Sequence, residues 1–185
     1  YETLVRSCKS AILAAMDSDC SRYCLRQNRS AIMDDKIFTV ALQDFINSNF
    51  TGIAPKVELE FYSGSKNPAA LIKAGAFTPV KRYLTGGGQF LLAFYIVFKT
   101  NAAEDKEKAF DYLNAIGTWL TETSKTDFFR ASGIPSIKTL DLGTNYVAIS
   151  SELTQSPVDI TGEDADGIAL YQATFNLKFK AKGAI

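Results

Sequence analysis

The three cysteines, Cys8, Cys20 and Cys24, are the side chains in this chain best suited to hold a metal ion. Cys20 and Cys24 are four residues apart, a spacing that places two thiolates on one face of a helix. A closed zinc site needs four nitrogen or sulfur ligands, and the sequence has no histidine and no second cysteine pair. We therefore expect cysteines that pack as small apolar side chains or lie at the surface, and no metal.

Paired carboxylates are the next candidates for chemistry. Glu58 and Glu60 alternate with apolar residues along a predicted strand, so both lie on one strand face. Glycosidase carboxylates come from separate elements that face a cleft, so we interpret this pair as the solvated side of the strand. Asp164 and Asp166 lie in the acidic stretch 152–167, but they lack the spacing of a calcium-binding loop.

The glycine run Gly86-Gly87-Gly88 invites comparison with a phosphate-binding loop. Such a loop needs a strand before it, a helix after it and a Lys-Ser/Thr pair. Here the glycines lead directly into a strand, which predicts a flexible hairpin turn instead. Without histidine, a Ser-His-Asp or Cys-His arrangement cannot form. We therefore predict a protein that is not an enzyme and needs no cofactor.

Charge and hydropathy argue against two further classes. Lys plus Arg number 20 and Asp plus Glu number 20, a balance unlike that of a protein whose main task is to grip duplex DNA. No run approaches the roughly 20 apolar residues of a membrane span. An odd number of cysteines without a secretory signal favours reduced thiols and folding in the cytosol.

The elements that must position any site are organised around the strand at residues 89–99, QFLLAFYIVFK. Both of its faces are apolar: one carries Phe90, Leu92, Phe94, Ile96 and Phe98, and the other carries Leu91, Ala93, Tyr95 and Val97. Helices of the same chain can cover one face. The other needs a second cover, for which a neighbouring copy is the economical answer, so this pattern indicates an assembly protein.

Periodicity predicts the other elements. In order they are a helix at 2–16, a helix at 31–50, a strand at 57–62, an irregular connection at 63–88, the central strand, a helix at 109–120, a strand at 137–150 broken near Gly143, an acidic loop at 152–167 and a strand at 171–180. This order predicts an α+β fold, with one mostly antiparallel four-stranded sheet and helices packed on one face, ααββαββ. We divide the chain into an N-terminal helical segment, residues 1–28, and an α+β domain, residues 29–185.

Three of these features occur together in one known family. The glycine-bearing turn leads into the long apolar strand, and the next helix carries a Leu-x-x-Ile-x-x-Trp pattern at Leu113, Ile116 and Trp119. The last strand opens with Tyr171-Gln172. Over about residues 35–182 the sequence resembles the tail terminator (minor capsid) proteins of long-tailed bacteriophages.

The resemblance implies a structural virion protein of the phage neck, assembled in the host cytoplasm. Members form a homo-hexameric ring on the last ring of tail-tube protein, end tube polymerisation and offer a surface to the head-completion or connector protein. DNA would only pass through the ring lumen, and no membrane is involved.

We expect the surfaces that contact other chains to lie on the central strand, in the connection 63–88 and in the acidic stretch 152–167. The interface candidates are Leu91, Tyr95, Val97, Leu71, Ile72, Phe77, Lys81, Arg82, Glu152, Asp159, Glu163, Asp164 and Asp166.

Two alternatives stay open. One is another neck protein, a head-completion or connector adaptor, for which a ring of twelve copies would be diagnostic. The other is an enzyme that uses carboxylates and a lysine, such as Glu58, Glu60 and Lys81, in a pocket that perturbs a carboxyl pKa.

Overall fold

The structure is a computed structural model that describes residues 38–51, 55–59, 68–84, 87–101, 106–161 and 167–181. The predicted helix at 2–16, the three cysteines and the boundary after residue 28 lie outside these residues and stay predictions. No helix within the described ranges is both long and apolar enough to cross a membrane.

The described residues form two helices and one sheet of five strands. Helix α1 covers residues 38–49, and helix α2 is Lys106–Thr123. The strands are β1, Val57–Leu59; β2, Ala69–Arg82; β3, Gly88–Asn101; β4, Tyr146–Asp159; and β5, Ile168–Ala181. A short 3-10 helix, Ile137–Thr139, lies between α2 and β4.

The sheet has the strand order β1-β2-β3-β5-β4. Strand β1 pairs with β2 in parallel, and the other three pairs are antiparallel. Strand β3 therefore lies between two long partners, which confirms the predicted interior position of the apolar strand. The predicted glycine turn is also confirmed, because Gly87, at φ 73°, lies in the connection between β2 and the antiparallel β3.

The prediction of four strands was wrong, because the connection 63–88 contains the 14-residue strand β2. Its glycine and proline favoured a loop on local grounds. Instead, the register shifts between Ala74 and Phe77 and between Pro79 and Lys81, so bulges accommodate both residues. Beyond Ile72, no described strand pairs with the outer side of β2, and such edges tolerate proline.

The predicted order ααββαββ therefore lacks β2, and the bounds of the first strand predicted after α2 were also wrong. Residues 137–139 form a 3-10 helix rather than part of a broken strand, and Ser136 caps it by accepting a hydrogen bond from the Lys138 N–H. The apolar pattern there reflects burial of Ile137, Leu140 and Leu142 under the connection to β4. The described order is αβββαββ, in a mixed sheet.

The predicted acidic loop 152–167 was too long, because β4 continues to Asp159. Glu152, Pro157 and Asp159 favoured a loop, yet they belong to β4, the outermost strand of the sheet, which has no second partner among the described strands. Three register shifts interrupt the pairing of β4 with β5 and absorb its irregular sequence.

Both described helices pack on one face of the sheet, as predicted. Their apolar stripes share a core cluster with the alternate residues of β3, namely Leu92, Phe94, Ile96 and Phe98. Leu113 is 0% exposed and Trp119 is 8% exposed, which confirms that α2 buries this stripe. Gly117 permits the close approach of α2 to β4, since a Cβ there would lie 3.0 Å from Cδ2 of Leu153.

Candidate assembly surfaces

The sheet face opposite the helices, here called the outer face, carries a narrow apolar stripe. Leu91, Ala93 and Tyr95 of β3 point to this face and are only half-buried, whereas Leu92, Phe94, Ile96 and Phe98 of the helix face are buried. Polar side chains flank the stripe, since Lys178 of β5 is paired with Leu91 and Lys73 of β2 is paired with Tyr95. The register also places Glu58 of β1 and Glu152 of β4 on this face, so the outer face combines an apolar centre with margins of mixed charge.

Part of the burial of Tyr95 comes from its own sheet. A Cβ added to Gly75 would lie 2.7 Å from Cε2 of Tyr95 and 2.9 Å from the Ala93 carbonyl oxygen. The Tyr95 ring therefore lies against the glycine backbone in the bulged part of β2. The rest of the ring retains exposed surface.

Four of the predicted interface residues have little surface in one subunit. Ile72 belongs to the core cluster, and Leu71 and Val97, which face each other across β2 and β3, are also buried. Phe77 is half-buried against the core and stacks on Phe90, with ring centroids 5.1 Å apart. Leu91 and Tyr95 are the predicted β3 residues that keep accessible area.

The end of the sheet at the β2–β3 turn is cationic. Lys81 and Arg82 are exposed, and the Lys81 ammonium lies 5.5 Å from the ring centroid of Tyr83. Lys180 of β5 approaches the same ring to 5.8 Å. Both distances fall within the range of a cation–π interaction, so Tyr83 draws two lysines from neighbouring strands together.

Two of the five acidic candidates lie in β4. Glu152 and Asp159 are exposed. The Thr161 side chain and the Thr161 backbone N–H, 2.9 Å from Oδ1, hold the pKa of Asp159 below its usual value. Glu163, Asp164 and Asp166 lie outside the described residues.

The candidate carboxylate–lysine site is not assembled within one subunit. Glu58 lies opposite Leu71 in the β1–β2 pair, and Lys81 lies ten residues further along β2. At 3.3 Å per residue the two side chains are about 30 Å apart. Within the described ranges, no three His, Cys, Asp or Glu side chains cluster closely enough to hold a metal ion.

Sequence analysis missed the most exposed aromatic pair, Phe128 and Phe129. Their exposed fractions are 89% and 72%, and their rings meet edge to face with centroids 5.0 Å apart. They lie in residues 124–136, here called the aromatic loop, between α2 and the 3-10 helix. Two adjacent phenylalanines within a polar, Ser/Thr/Lys/Asp-rich stretch are the sequence signal that could have identified them.

The aromatic loop is tied to the sheet and to itself. The Ser124 hydroxyl donates to the Ser151 carbonyl at 2.8 Å and accepts from the Ser151 N–H at 2.7 Å, which fixes the loop to β4. The N–H groups of Phe129 and Arg130 both donate to the Thr126 carbonyl, at 2.9 and 3.0 Å. These bonds close a turn that holds both aromatic rings in solvent.

A cleft of 250 Å³ opens on the helix side, between the end of α1, the start of β1 and the first half of α2. Apolar atoms of Phe50 and Pro55 contribute to its lining. The Tyr112 hydroxyl donates to the Pro55 carbonyl at 2.7 Å, and burial raises the pKa of this phenol well above its usual range. Asn47 exchanges two hydrogen bonds with the backbone of Val57, at 2.8 and 2.9 Å. These polar groups are thus already satisfied, which leaves the cleft suited to an apolar group.

Comparison with known proteins gives no assignment: no protein-family model matches this chain, and no curated protein is significantly similar to it.

Proposed function

We propose that this chain is a structural protein of a bacteriophage tail. Copies of it form a ring at the head-proximal end of the tail, end polymerisation of the tail tube and join the tail to the head-completion or connector protein. The ring is homo-hexameric, and DNA passes through its lumen.

The observation that carries the proposal is the half-covered outer face of β3. Leu91, Ala93 and Tyr95 lie at the centre of the sheet, where two neighbouring strands hold them in place, yet they keep exposed area in a single subunit. An antiparallel strand commonly leaves one face in solvent, but that face is then polar, whereas the outer face of β3 carries Leu91, Ala93 and Tyr95. A neighbouring copy in the ring supplies the missing cover, and the lysines at the margins orient it.

The resemblance described above supports the location in the virion. The enzyme alternative gains no support from Glu58 and Lys81, which lie far apart in the sheet, and Glu60 lies outside the described residues. The exposed acidic residues of β4, Glu152 and Asp159, lie at the edge of the sheet and belong to the surface that meets the tube or the connector. Their charge repels DNA phosphates, so they face a protein and not the lumen.

Native mass spectrometry of the purified protein tests the ring. We expect a species of six times the 20.3 kDa subunit, and added protein should shorten the tubes formed by polymerising tail-tube protein. A twelve-copy ring would favour the connector-adaptor alternative. A protein that is monomeric at all concentrations and leaves tube length unchanged would contradict the proposal.

Leu91→Asp is the matched interface variant, and Asn114→Asp on the exposed side of α2 is its control. Both add one negative charge at a position that retains accessible surface. The first should abolish the ring, because it places a charge in the apolar centre of the outer face. The second should leave the ring intact.

A further inference from the structure

We infer that the aromatic loop of one copy inserts Phe128 into the cleft beside Phe50 and Tyr112 of the next copy. The inference rests on the proposed ring and names a contact that links its subunits. It concerns a different surface from the outer face of the sheet, so the two can be tested separately.

The aromatic loop has the properties of a preformed anchor. Phe128 is almost fully exposed, and the edge-on ring of Phe129 supports it from one side. The hydrogen bonds to Thr126 and from Ser124 to β4 fix the backbone before any partner arrives. Little conformational entropy is then lost on docking, and aromatic side chains, phenylalanine among them, are enriched at protein interfaces.

The cleft is the right size for one aromatic side chain. A dry apolar cavity of roughly 150 Å³ accepts benzene, so a cleft of 250 Å³ has room for a phenylalanine ring but is below the usual size of a cofactor site. The half-buried ring of Phe50 offers an aromatic surface at this position. An inserted ring would pack against it in an offset or edge-to-face arrangement.

Phe128 does not enter the cleft of its own copy. Tyr112, in the cleft, lies 11 residues before Thr123, the end of α2, which corresponds to about 16 Å along the helix axis. The loop continues beyond Thr123 and is held to β4 by Ser124. Phe128 therefore reaches a cleft on another molecule and not its own.

The charges beside Phe128 and beside the cleft have opposite signs. Asp127, next to Phe128, has a 90% exposed side chain, whereas its partner Arg130 is only 15% exposed. Lys56 is exposed and lines the cleft. Opposite charges beside the anchor and beside the cleft steer the encounter and set the orientation of the inserted loop.

Because the anchor and the cleft are different surfaces, each copy uses both at once. A contact of this kind is heterologous and repeats from copy to copy, and it closes into a ring when the rotation between neighbours divides a full turn. When the partner is a second copy of this chain, both the aromatic loop and the cleft of each copy are used.

Two single variants test the contact. Phe128→Ala removes the anchor and keeps the cleft, whereas Thr51→Tyr fills the cleft from its exposed rim and keeps the anchor. Each should weaken self-association by about 30-fold or more, the effect of losing one interface hot spot. Both positions are exposed, so the melting temperature of the subunit should hardly change. Leu84→Ala, at another fully exposed apolar residue, is the control and should associate like wild type.

Mixing the two variants gives the sharpest result. The anchor of Thr51→Tyr can enter the cleft of Phe128→Ala, but the resulting pair offers neither a second anchor nor a second open cleft. Native mass spectrometry of an equimolar mixture should therefore show dimers with one copy of each variant in excess over dimers of either variant alone, beyond the ratio of random pairing, because only the mixed pair joins an intact anchor to an open cleft. Absence of this excess overturns the contact.

The outcomes separate this contact from the proposed function. If wild type forms rings and Phe128→Ala forms them equally well, the contact is wrong and the ring stands. If Phe128→Ala rings assemble but no longer bind the tube protein, the anchor serves that partner and not a second copy. If wild type is monomeric at all concentrations, the ring itself is wrong.

Discussion

The two faces of β3 differ in cover and not in hydrophobicity. On the helix face, Leu92 and Phe94 are fully buried, and Phe94 stacks on Phe175 with ring centroids 5.1 Å apart. On the outer face, the adjacent residues Leu91 and Tyr95 keep accessible area. The comparison teaches that one strand can carry two apolar faces with different roles: its helix face stabilises the fold, and its outer face remains available for the neighbouring copy proposed above.

Leu91 and Leu92 allow the largest test of this division, because they are the same residue type on opposite faces. Leu92→Ala should lower the free energy of unfolding by about 2–5 kcal/mol, since it leaves a cavity in a fully buried site. Leu91→Ala should cost about 1 kcal/mol or less in the isolated subunit, because its surroundings can fill with water. Urea denaturation monitored by circular dichroism measures both, and equal losses would refute the division.

Gly75→Ala tests how closely the outer face is packed and should have an intermediate effect. The added methyl group meets the Tyr95 ring and the Ala93 carbonyl oxygen, so we expect a loss of about 1–3 kcal/mol. Ala76→Ser, at the exposed neighbouring position, is the control and should change stability by no more than about 0.5 kcal/mol.

A Gly75→Ala, Tyr95→Ala double variant separates the clash with the Tyr95 ring from the clash with the Ala93 carbonyl oxygen. If the clash with the Tyr95 ring dominates, the free energy of unfolding should fall by less in the double variant than the sum of the two single losses. Strict additivity would instead assign the strain to the backbone contact with Ala93 and would indicate that Tyr95 moves aside without cost.

The smallest effect should appear at Asp159, an exposed residue at the end of β4. Thr161 lowers the pKa of this carboxyl, so ionised Asp159 stabilises the fold above the unfolded-state pKa of about 4. That contribution disappears as the pH falls through the lower pKa of the folded state. Asp159→Asn should therefore lower the melting temperature slightly at pH 6, and this difference should shrink as the pH falls to 2.5.

Thr161→Ala is the companion variant, because it removes the hydroxyl and keeps the backbone N–H. It should reduce the pH dependence without abolishing it. A difference between wild type and Asp159→Asn that persists undiminished at pH 2.5 would mean that the side chain acts through packing instead of charge.

Elements with a strong local pattern could be predicted from sequence. The alternation of β3 and β5 and the stripe of α2 around Leu113 were sufficient to place the centre of the sheet and the helix above it. Strand β2 could not be predicted in the same way, because the pairing that makes it a strand comes from β3, and its bulges break the alternation near Gly75. Local sequence signals turns but contains no information on distant pairing partners.

The candidate surfaces could be predicted only in part, because exposure also depends on pairing between distant strands. Alternation identified Leu91 and Tyr95 as outward-facing, yet it could not tell that Ile72 would enter the core, because that depends on the register with Ile96. Phe128 and Phe129 were missed because hydrophobic patterning assigns phenylalanine to the interior. An exposed aromatic pair is a departure from that rule, and only the structure reveals it.

Trp119 gives the molecule a built-in optical probe, since it is the single tryptophan in the sequence. Its indole lies between Phe45 and Phe50, at centroid distances of 5.5 and 5.1 Å, and is shielded from water. Its fluorescence should therefore be emitted at short wavelength in the native subunit and shift to the red on unfolding. Because Phe50 also lines the cleft, the same emission reports in real time on whatever enters it.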